Sequence, residues 1–427
     1  MTALASAPAV PSVTITSARR WGAPIALAVV GLLAFWLFGL RTPSGVETSF
    51  SFGARTDFMT LPILVVPSRI TAILLCVVAL GFAAYSAYCV QTFRKFPMWA
   101  AALYGVVILA ALLTWAGAGK EGTNVNITGL LTSAVLLSVP LVFGGLAGLL
   151  CERSGVINIA IEGQLLAGAF TAAVVASAVG NAYMGLIAAP IAGALVGLLL
   201  ALFSVKYWVN QIVVGVVLNV LVAGVTNFFF GTLLRENPAL NQPHPLPKLP
   251  IPIVSKIPVI GPTLFNQTLL VYLMYASVAI LAVMVFRSRW GLRMRAVGEH
   301  PTAADTVGIK VNRTRVRNTV LGGAVAGLGG AFFTVAAGLA FGKEMTSGAG
   351  FIALAALILG RWRPLGVLMA ALLFGFANSL KDQLGIIGSS IPSQFLAMLP
   401  YLATILAVAG FVGHARPPAA EGIPYKK

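Results

Sequence analysis

Apolar runs of about 18 residues or more alternate with short polar breaks along most of this chain. About twelve can be drawn, at roughly 23–40, 69–90, 98–118, 130–150, 157–179, 184–205, 210–233, 267–286, 318–340, 349–360, 365–380 and 394–412. A helix of about 20 such residues crosses a hydrocarbon layer roughly 30 Å thick. Helices are favoured because lipid offers no partner to unpaired backbone groups. The alternating short strands of a membrane barrel are absent. The pattern therefore predicts an all-α, polytopic integral membrane bundle of about 10–12 transmembrane helices. The 349–360 run is too short to cross alone and is expected to be a half-span or a re-entrant piece.

Composition agrees, and charge adds an orientation. Of the 427 residues, 59% are hydrophobic and 9% charged, with a mean hydropathy of +0.94. The net charge of +17 reads as basic loops rather than as a nucleic-acid surface, because cytoplasmic loops of membrane proteins collect Lys and Arg. With the N-terminus inside, Arg94-Lys95, Glu152-Arg153, Lys206, the Arg287–Arg317 cluster and Arg361/Arg363 fall on inner loops, while the outer loops are more nearly balanced. The 41–69 loop fits least well. Residues 1–22, rich in Ala, Pro, Ser and Thr, are expected to be a disordered cytoplasmic tail, followed by an anchor rather than a cleaved signal. Residues 413–427 form a second cytoplasmic tail.

Two polar excursions interrupt the spans. The proline-dense 235–266 stretch is expected to be an external loop or cap. The 287–317 loop holds eight of the 28 basic residues and only two acids, Glu299 and Asp305. Within it, "EHPTAADTVGIKV" places a proline near a start and Gly308 at a stop, which predicts a helix of about two turns. Such a helix is too short to stand alone and calls for a docking partner.

Enzymatic chemistry finds no purchase. There is no Walker loop, no H-E-x-x-H and no G-x-S-x-G; His244, His300 and His414 lie outside the spans and far apart. Cys76, Cys89 and Cys151 offer neither metal spacing nor a disulfide framework. The informative residues are polar ones inside spans: Asn158, Glu162, Gln164, Asn219, Asn227 and Asn378, with Lys381-Asp382 at an edge. A carboxylate at membrane depth costs about 2.5–3.5 kcal/mol on insertion scales, so Glu162 must face protein, water or a partner. On a continuous helix it would share a face with Asn158. Capping of a broken helix, proton coupling and direct solute contact all remain open for it. Phe228–Phe230 or Phe332–Phe333 could stack on a ring, or simply face lipid. Gly144/Gly148, Gly193/Gly197 and Gly323/Gly327 are G-x-x-x-G pairs, suited to close helix packing or to a sliding interface. "CERSGVINIAIEGQLL" and "KEMTSGAGFIALAALIL" echo one another, which would fit two inverted-repeat halves.

"ERSGVINIAIEGQLLAGAF" (152–170), "WGLRMRAVGEHPTAADTVGIKV" (290–311) and "GFIALAALILGRWRPLGVLMAALLFGFANSL" (350–380), in that order, resemble the permease subunits of bacterial ABC importers for nucleosides and simple sugars. The wider group includes ribose and branched-chain amino acid permeases. The resemblance covers about 98–412 as a permease core and leaves 23–97 as an additional N-terminal transmembrane region. It implies a multi-pass protein of the bacterial plasma membrane with both termini cytoplasmic. The permease would pair with an identical or related chain, sit on two cytoplasmic ATP-binding subunits and receive solute from an external binding lipoprotein. It would itself be no enzyme and carry no cofactor, ATP being consumed by its partners. It also implies an ATPase-coupling role for Gly298, Glu299, Pro301, Ala303, Ala304, Asp305, Gly308 and Ile309. The expected solute is neutral and polar, a nucleoside first, with a simple sugar or branched-chain amino acid as alternatives; Asn158, Glu162, Gln164, Asn219, Asn227, Phe228 and Asn378 are its expected path. From another class comes an ion-coupled secondary transporter using Glu162 as its proton site, and from a third a membrane scaffold that moves nothing.

Overall fold

The computed structural model describes residues 17–53, 61–120, 123–338, 340–389, 391–392, 394–396, 398, 401 and 416–426. The tail before Ser17 and most of the span expected at 394–412 lie outside them. Among the described residues, ten helices are long and apolar enough to cross a membrane.

The chain divides into two compact units. The smaller holds α1 (Ser17–Ala34, extended by a π turn to Leu40), α2 (Ser68–Gln91) and α3 (Met98–Ala116). Small residues let these helices approach: Ala72, Cys76, Ala79 and Ala83 form a buried stripe on α2, and the Tyr104 hydroxyl donates to the Leu27 carbonyl at 2.7 Å. Strands β1 (Glu47–Ser51), β2 (Leu64–Pro67) and β3 (Val125–Asn126) form a sheet in the order β2-β1-β3. β1 runs antiparallel to β2 and parallel to β3. The buried Thr48 hydroxyl ties this sheet to α3 through the Thr114 carbonyl, 2.8 Å away. The run at 98–118, assigned from the sequence to the core, thus packs with the N-terminal helices, and the smaller unit reaches Asn126. Hydropathy cannot locate such a boundary, since lipid-facing helices of either unit look alike.

The larger unit contains α4 (Ile127–Glu152), α5 (Ile161–Val179), α6 (Ala182–Ala201, with a π turn to Lys206), α7 (Gln211–Phe229), α8 (Leu269–Arg287), α9 (Arg289–Glu299), α10 (Pro301–Thr306), α11 (Val311–Ala331, with a π turn to Ala336), α12 (Ala349–Leu359) and α13 (Pro364–Ile386). α4 is its axis: 89% of its apolar window is buried, against 28% for α7 and α8. Two of the glycine pairs face each other across α6 and α11. A Cβ at Gly193 would sit 2.2 Å from the Gly323 carbonyl oxygen, and one at Gly327 2.3 Å from that of Ala189. With lipid as apolar as the helices, such contact by dispersion is what holds spans together. The 235–266 stretch folds as short turns and a two-stranded ladder of β4 (Lys248–Pro250) and β5 (Asn266–Thr268). It is pinned to the bundle where Leu246 N–H donates to the Val335 carbonyl and Asn241 exchanges two hydrogen bonds with Phe341.

Candidate functional site: a broken helix clamped at both ends

α4 and α12 run side by side in the same direction. A Cβ on Gly144 would strike Ala353, and one on Gly148 would strike Leu357, one turn further along both helices. α4 then stops at Glu152, because Gly155 adopts φ +89° and the chain reverses. Arg153 to Ala160 climb back along α12, so α5 begins beside the opposite end of that short helix. With 11 residues, α12 is about 16 Å long, roughly half a membrane core. The half-span or re-entrant piece expected at 349–360 is α12, and the 151–163 turn, which the sequence leaves open between surface and interior, packs against it inside protein, where irregular backbone at membrane depth is tolerable.

Carboxylates hold both ends of α12. At its start, Glu162 Oε1 accepts from Thr346 Oγ1 at 2.7 Å and Gly348 N at 2.8 Å, and Oε2 accepts from Gly350 N at 2.6 Å. Glu162 also lies in the first turn of α5, so one negative charge meets the positive ends of two helices. Of the three roles open to Glu162, the cap is the one its contacts express. At the other end, Glu152 accepts from Trp362 Nε1 at 2.5 Å. Arg153 donates to the Trp362 carbonyl from Nε at 3.2 Å and Nη2 at 3.0 Å. Both termini of α12 adopt left-handed backbone, with φ of +46° at Ser347, +82° at Gly348, +53° at Arg361 and +50° at Trp362. For non-glycine residues that conformation is costly and persists only where the surroundings enforce it. Glu152 is 2% exposed, which corrects its assignment to a loop in reach of water; the turn it begins is covered by protein, a feature its neighbours in sequence do not reveal.

The expected path residues separate into groups. Asn158 and Gln164 are wholly buried and exchange amide hydrogen bonds at 3.0 and 3.3 Å; Asn158 also reaches Cys151 Sγ at 3.4 Å. Because the helix is broken, Asn158 precedes α5 and does not share a helical face with Glu162. Asn219 accepts from Gly163 N at 2.8 Å and donates to the Ile159 carbonyl at 2.9 Å. Two turns earlier on α7, Gln211 accepts from Ile157 N at 2.7 Å. At Gly215, between them, an added Cβ would lie 2.9 Å from Ile159 Cβ and 3.2 Å from Ala160 N. Gln211 and Gly215 were not singled out from sequence, although their i, i+4, i+8 spacing with Asn219 is visible there.

Glu162 and Asn219 line a cavity of about 570 Å³ with Lys343, Glu344, Ser347 and Phe351. Asn378 lines a separate cavity of about 310 Å³ with Phe332, Phe333, Ser347 and Lys381. The segment 346–347 separates the two and borders both. Asn227 lines neither; its buried Oδ1 has no hydrogen-bond partner. Phe228 is 63% exposed and packs edge-on against Phe229 on the outside of the bundle.

The predicted two-turn helix is α10. Pro301 opens it, and Gly308 at φ +84° stops it. Glu299, Ala303 and Gly308 are exposed, Pro301, Asp305 and Ile309 half-buried, and Gly298 and Ala304 buried. Gly298 abuts the α4–α5 turn so closely that a Cβ would lie 2.3 Å from the Arg153 carbonyl oxygen. Glu299 adds an ion pair to Arg153 at 3.9 Å. The segment 416–426 laces the same parts together. Ala420 N donates to the Gly298 carbonyl at 2.9 Å and Gly422 N to that of Gly155 at 3.3 Å. The buried Arg315 donates to the carbonyls of Ile423 and Ala420. Burial pushes the Glu421 carboxyl up to about 7, a rise partly offset by a hydrogen bond shared with Glu152.

Residues 127–409 match the family described as branched-chain amino acid transport system / permease component. The chain belongs to this family. Its matched region begins where the larger unit's first helix begins. Among curated relatives, the guanosine ABC transporter permease protein NupQ of Bacillus subtilis is 39% identical over 317 residues, covering 71% of this chain and 98% of that protein. The nucleoside ABC transporter permease protein NupC of Lactococcus lactis is 37% identical, covering 70% and 96%. The putative glucose ABC transporter permease protein TsgC13 of Haloferax volcanii is 33% identical, covering 59% and 77%. No solved structure matches the chain. The family and the ten candidate spans make it a multi-pass membrane permease component.

Proposed function

We propose that this permease imports a nucleoside, with energy from a separate cytoplasmic ATPase. The observation that carries the reading is alignment with guanosine and nucleoside permeases over nearly their whole length, 98% and 96%. We infer cytoplasmic termini from loop charge alone: an inside N-terminus puts the basic 287–317 cluster on an inner loop. α10 is assigned to the ATPase: Glu299, Ala303 and Gly308 offer the surface, and Gly298, Pro301, Ala304, Asp305 and Ile309 set its shape. From there the backbone contact of Gly298 on Arg153, and the Arg153–Trp362 bonds, lead to α12. Movement of α10 would thus tilt α12 and the two cavities at its far end.

The solute path is assigned to those cavities, with Glu162, Asn219 and Asn378 on their walls and Phe332 and Phe333 replacing Phe228 as the stacking surface. Asn158 and Gln164 are assigned to holding the break, since each satisfies the other. A second permease chain and a solute-binding lipoprotein complete the assembly. Glu162 is given no proton-carrying role, because both its oxygens are engaged as acceptors. The test is uptake into proteoliposomes containing both permease chains and the ATPase, supplied with the binding lipoprotein and labelled guanosine, glucose or leucine. ATP-dependent guanosine uptake is expected. Uptake of glucose alone would reassign the solute. Uptake without ATPase that collapses with an uncoupler would replace the mechanism with a secondary one.

A further inference from the structure

A cavity of about 660 Å³ lies between α9 and the first turns of α11, away from both solute-side cavities. Its charged walls are Arg293, Lys310, Arg313 and Arg317, with no acid among its lining residues. Lys310, Arg313, Thr314, Arg317 and Asn318 fall at i, i+3, i+4, i+7 and i+8, so one face of α11 turns toward it. Three local choices there oppose helix stability. Cations stand at a helix N-terminus, where the dipole favours anions. Arg313 and Arg317 repel at i, i+4. Among the described residues, neither they nor Lys310 or Arg293 form an ion pair. A bias toward basic cytoplasmic loops accounts for the charge but not for what lies behind it. Asn318 is wholly buried, and neither atom of its amide has a hydrogen-bond partner; Trp290 Nε1, on the α9 wall, is likewise buried and unpaired. Orphaned donors of this kind normally have a ligand or water. The remaining wall is apolar and includes Gly308 and Ile309, which border the proposed ATPase contact as well; Leu292 and Val307 stand 61% and 75% exposed at the rim.

We propose that this cavity binds a phosphate-bearing anion, its guanidinium groups gripping the phosphate oxygens, and that the occupant is the headgroup of an anionic phospholipid. Arg suits phosphate because its planar fork bonds two oxygens at once. The apolar rim and the position at the head of the α11 span favour a lipid over free phosphate, as basic residues beside a span attract anionic headgroups. The chemistry stands on the cavity itself and not on the nucleoside reading.

The test uses the full chain in nanodiscs, with native mass spectrometry counting retained phosphatidylglycerol. Wild type should keep an adduct that R313Q/R317Q binds about 30-fold more weakly, two surface cations being removed. R287Q/R289Q, which alters exposed cations outside the cavity, should keep it with wild-type affinity. Inorganic phosphate titrated into phosphatidylcholine nanodiscs separates the sources. Failure of phosphate to protect residues 307–318 from hydrogen exchange, together with phosphatidylglycerol retention that R313Q/R317Q weakens, identifies the lipid; protection that R313Q/R317Q abolishes identifies free phosphate at the same site. Equal phosphatidylglycerol retention by both double variants, with no phosphate protection, overturns the proposal. So does loss of ATPase recruitment in R313Q/R317Q with lipid retention unchanged, which would make the cavity a protein contact.

Discussion

Glu162 accepts three hydrogen bonds on two oxygens, and this determines its response to substitution. Glu162→Gln keeps one acceptor oxygen and turns an amide N–H₂ toward backbone donors. Loss of a charge-assisted bond and of the charge at two helix N-termini should cost about 2–3 kcal/mol. The thermal midpoint of the purified chain should fall accordingly; an unchanged midpoint would remove the cap. Asn219→Leu strands the Gly163 N–H and the Ile159 carbonyl together and should cost at least as much, about 2–4 kcal/mol. At this scale the sequence shows which polar residues lie at membrane depth, because each is costly there. It does not show their partners. Asn158 and Glu162 look like neighbours on one face until the backbone breaks between them, and Glu152 looks like a loop charge until Trp362 is found beside it.

Helix packing makes a contrasting pair of predictions. Gly193 and Gly323 meet backbone to backbone, so Gly193→Leu cannot be absorbed by a side-chain shift and must drive α6 and α11 apart. A loss above the about 1–3 kcal/mol usual for overpacking is expected, read as a lowered midpoint or as failure to accumulate in the membrane. On α7, a Cβ at Gly224 meets nothing within 4 Å. Gly224→Ala should therefore leave the midpoint unchanged or raise stability by about 0.5–1 kcal/mol. The G-x-x-x-G spacing was legible as a packing signal. Which two pairs meet was not, because the pairing joins segments far apart in the chain. The two-turn α10 was legible from Pro301 and Gly308 alone, since both act on the local backbone.

At the scale of the molecule, the segment 416–426 is a strap across α9, α11 and the α4–α5 turn, and its seat should respond to pH. Glu421 has a carboxyl near 7 when docked, against 4.5 ordinarily. The docked state therefore binds more protons, and docking is most stable below about 4.5 and weakens as pH rises through about 7. The protection factor of residues 416–426, exchange being taken relative to its intrinsic rate at each pH, should fall across that window, and Glu421→Gln should flatten the fall. A protection factor indifferent to pH in the unmodified chain would show that Glu421 does not titrate in the seat.

Taken alone, the sequence determined the membrane class, eight of the ten long spans among the described residues to within a few residues, the short helix of the basic loop and the polar residues that need a partner. Each of these follows from forces local to a segment: hydropathy against lipid, the fixed φ of proline, the freedom of glycine. The tertiary structure alone decided that α3 joins the N-terminal helices, that α12 is clamped by Glu162 at one end and Glu152 at the other, that α7 laces the break through Gln211 and Asn219, and that the C-terminal strap closes over it. Those contacts join residues far apart in the chain: Trp362 and Glu152 are 210 positions apart, and Gly422 and Gly155 are further apart still. They depend on where backbones reverse inside the bundle, which no periodicity within a single segment encodes.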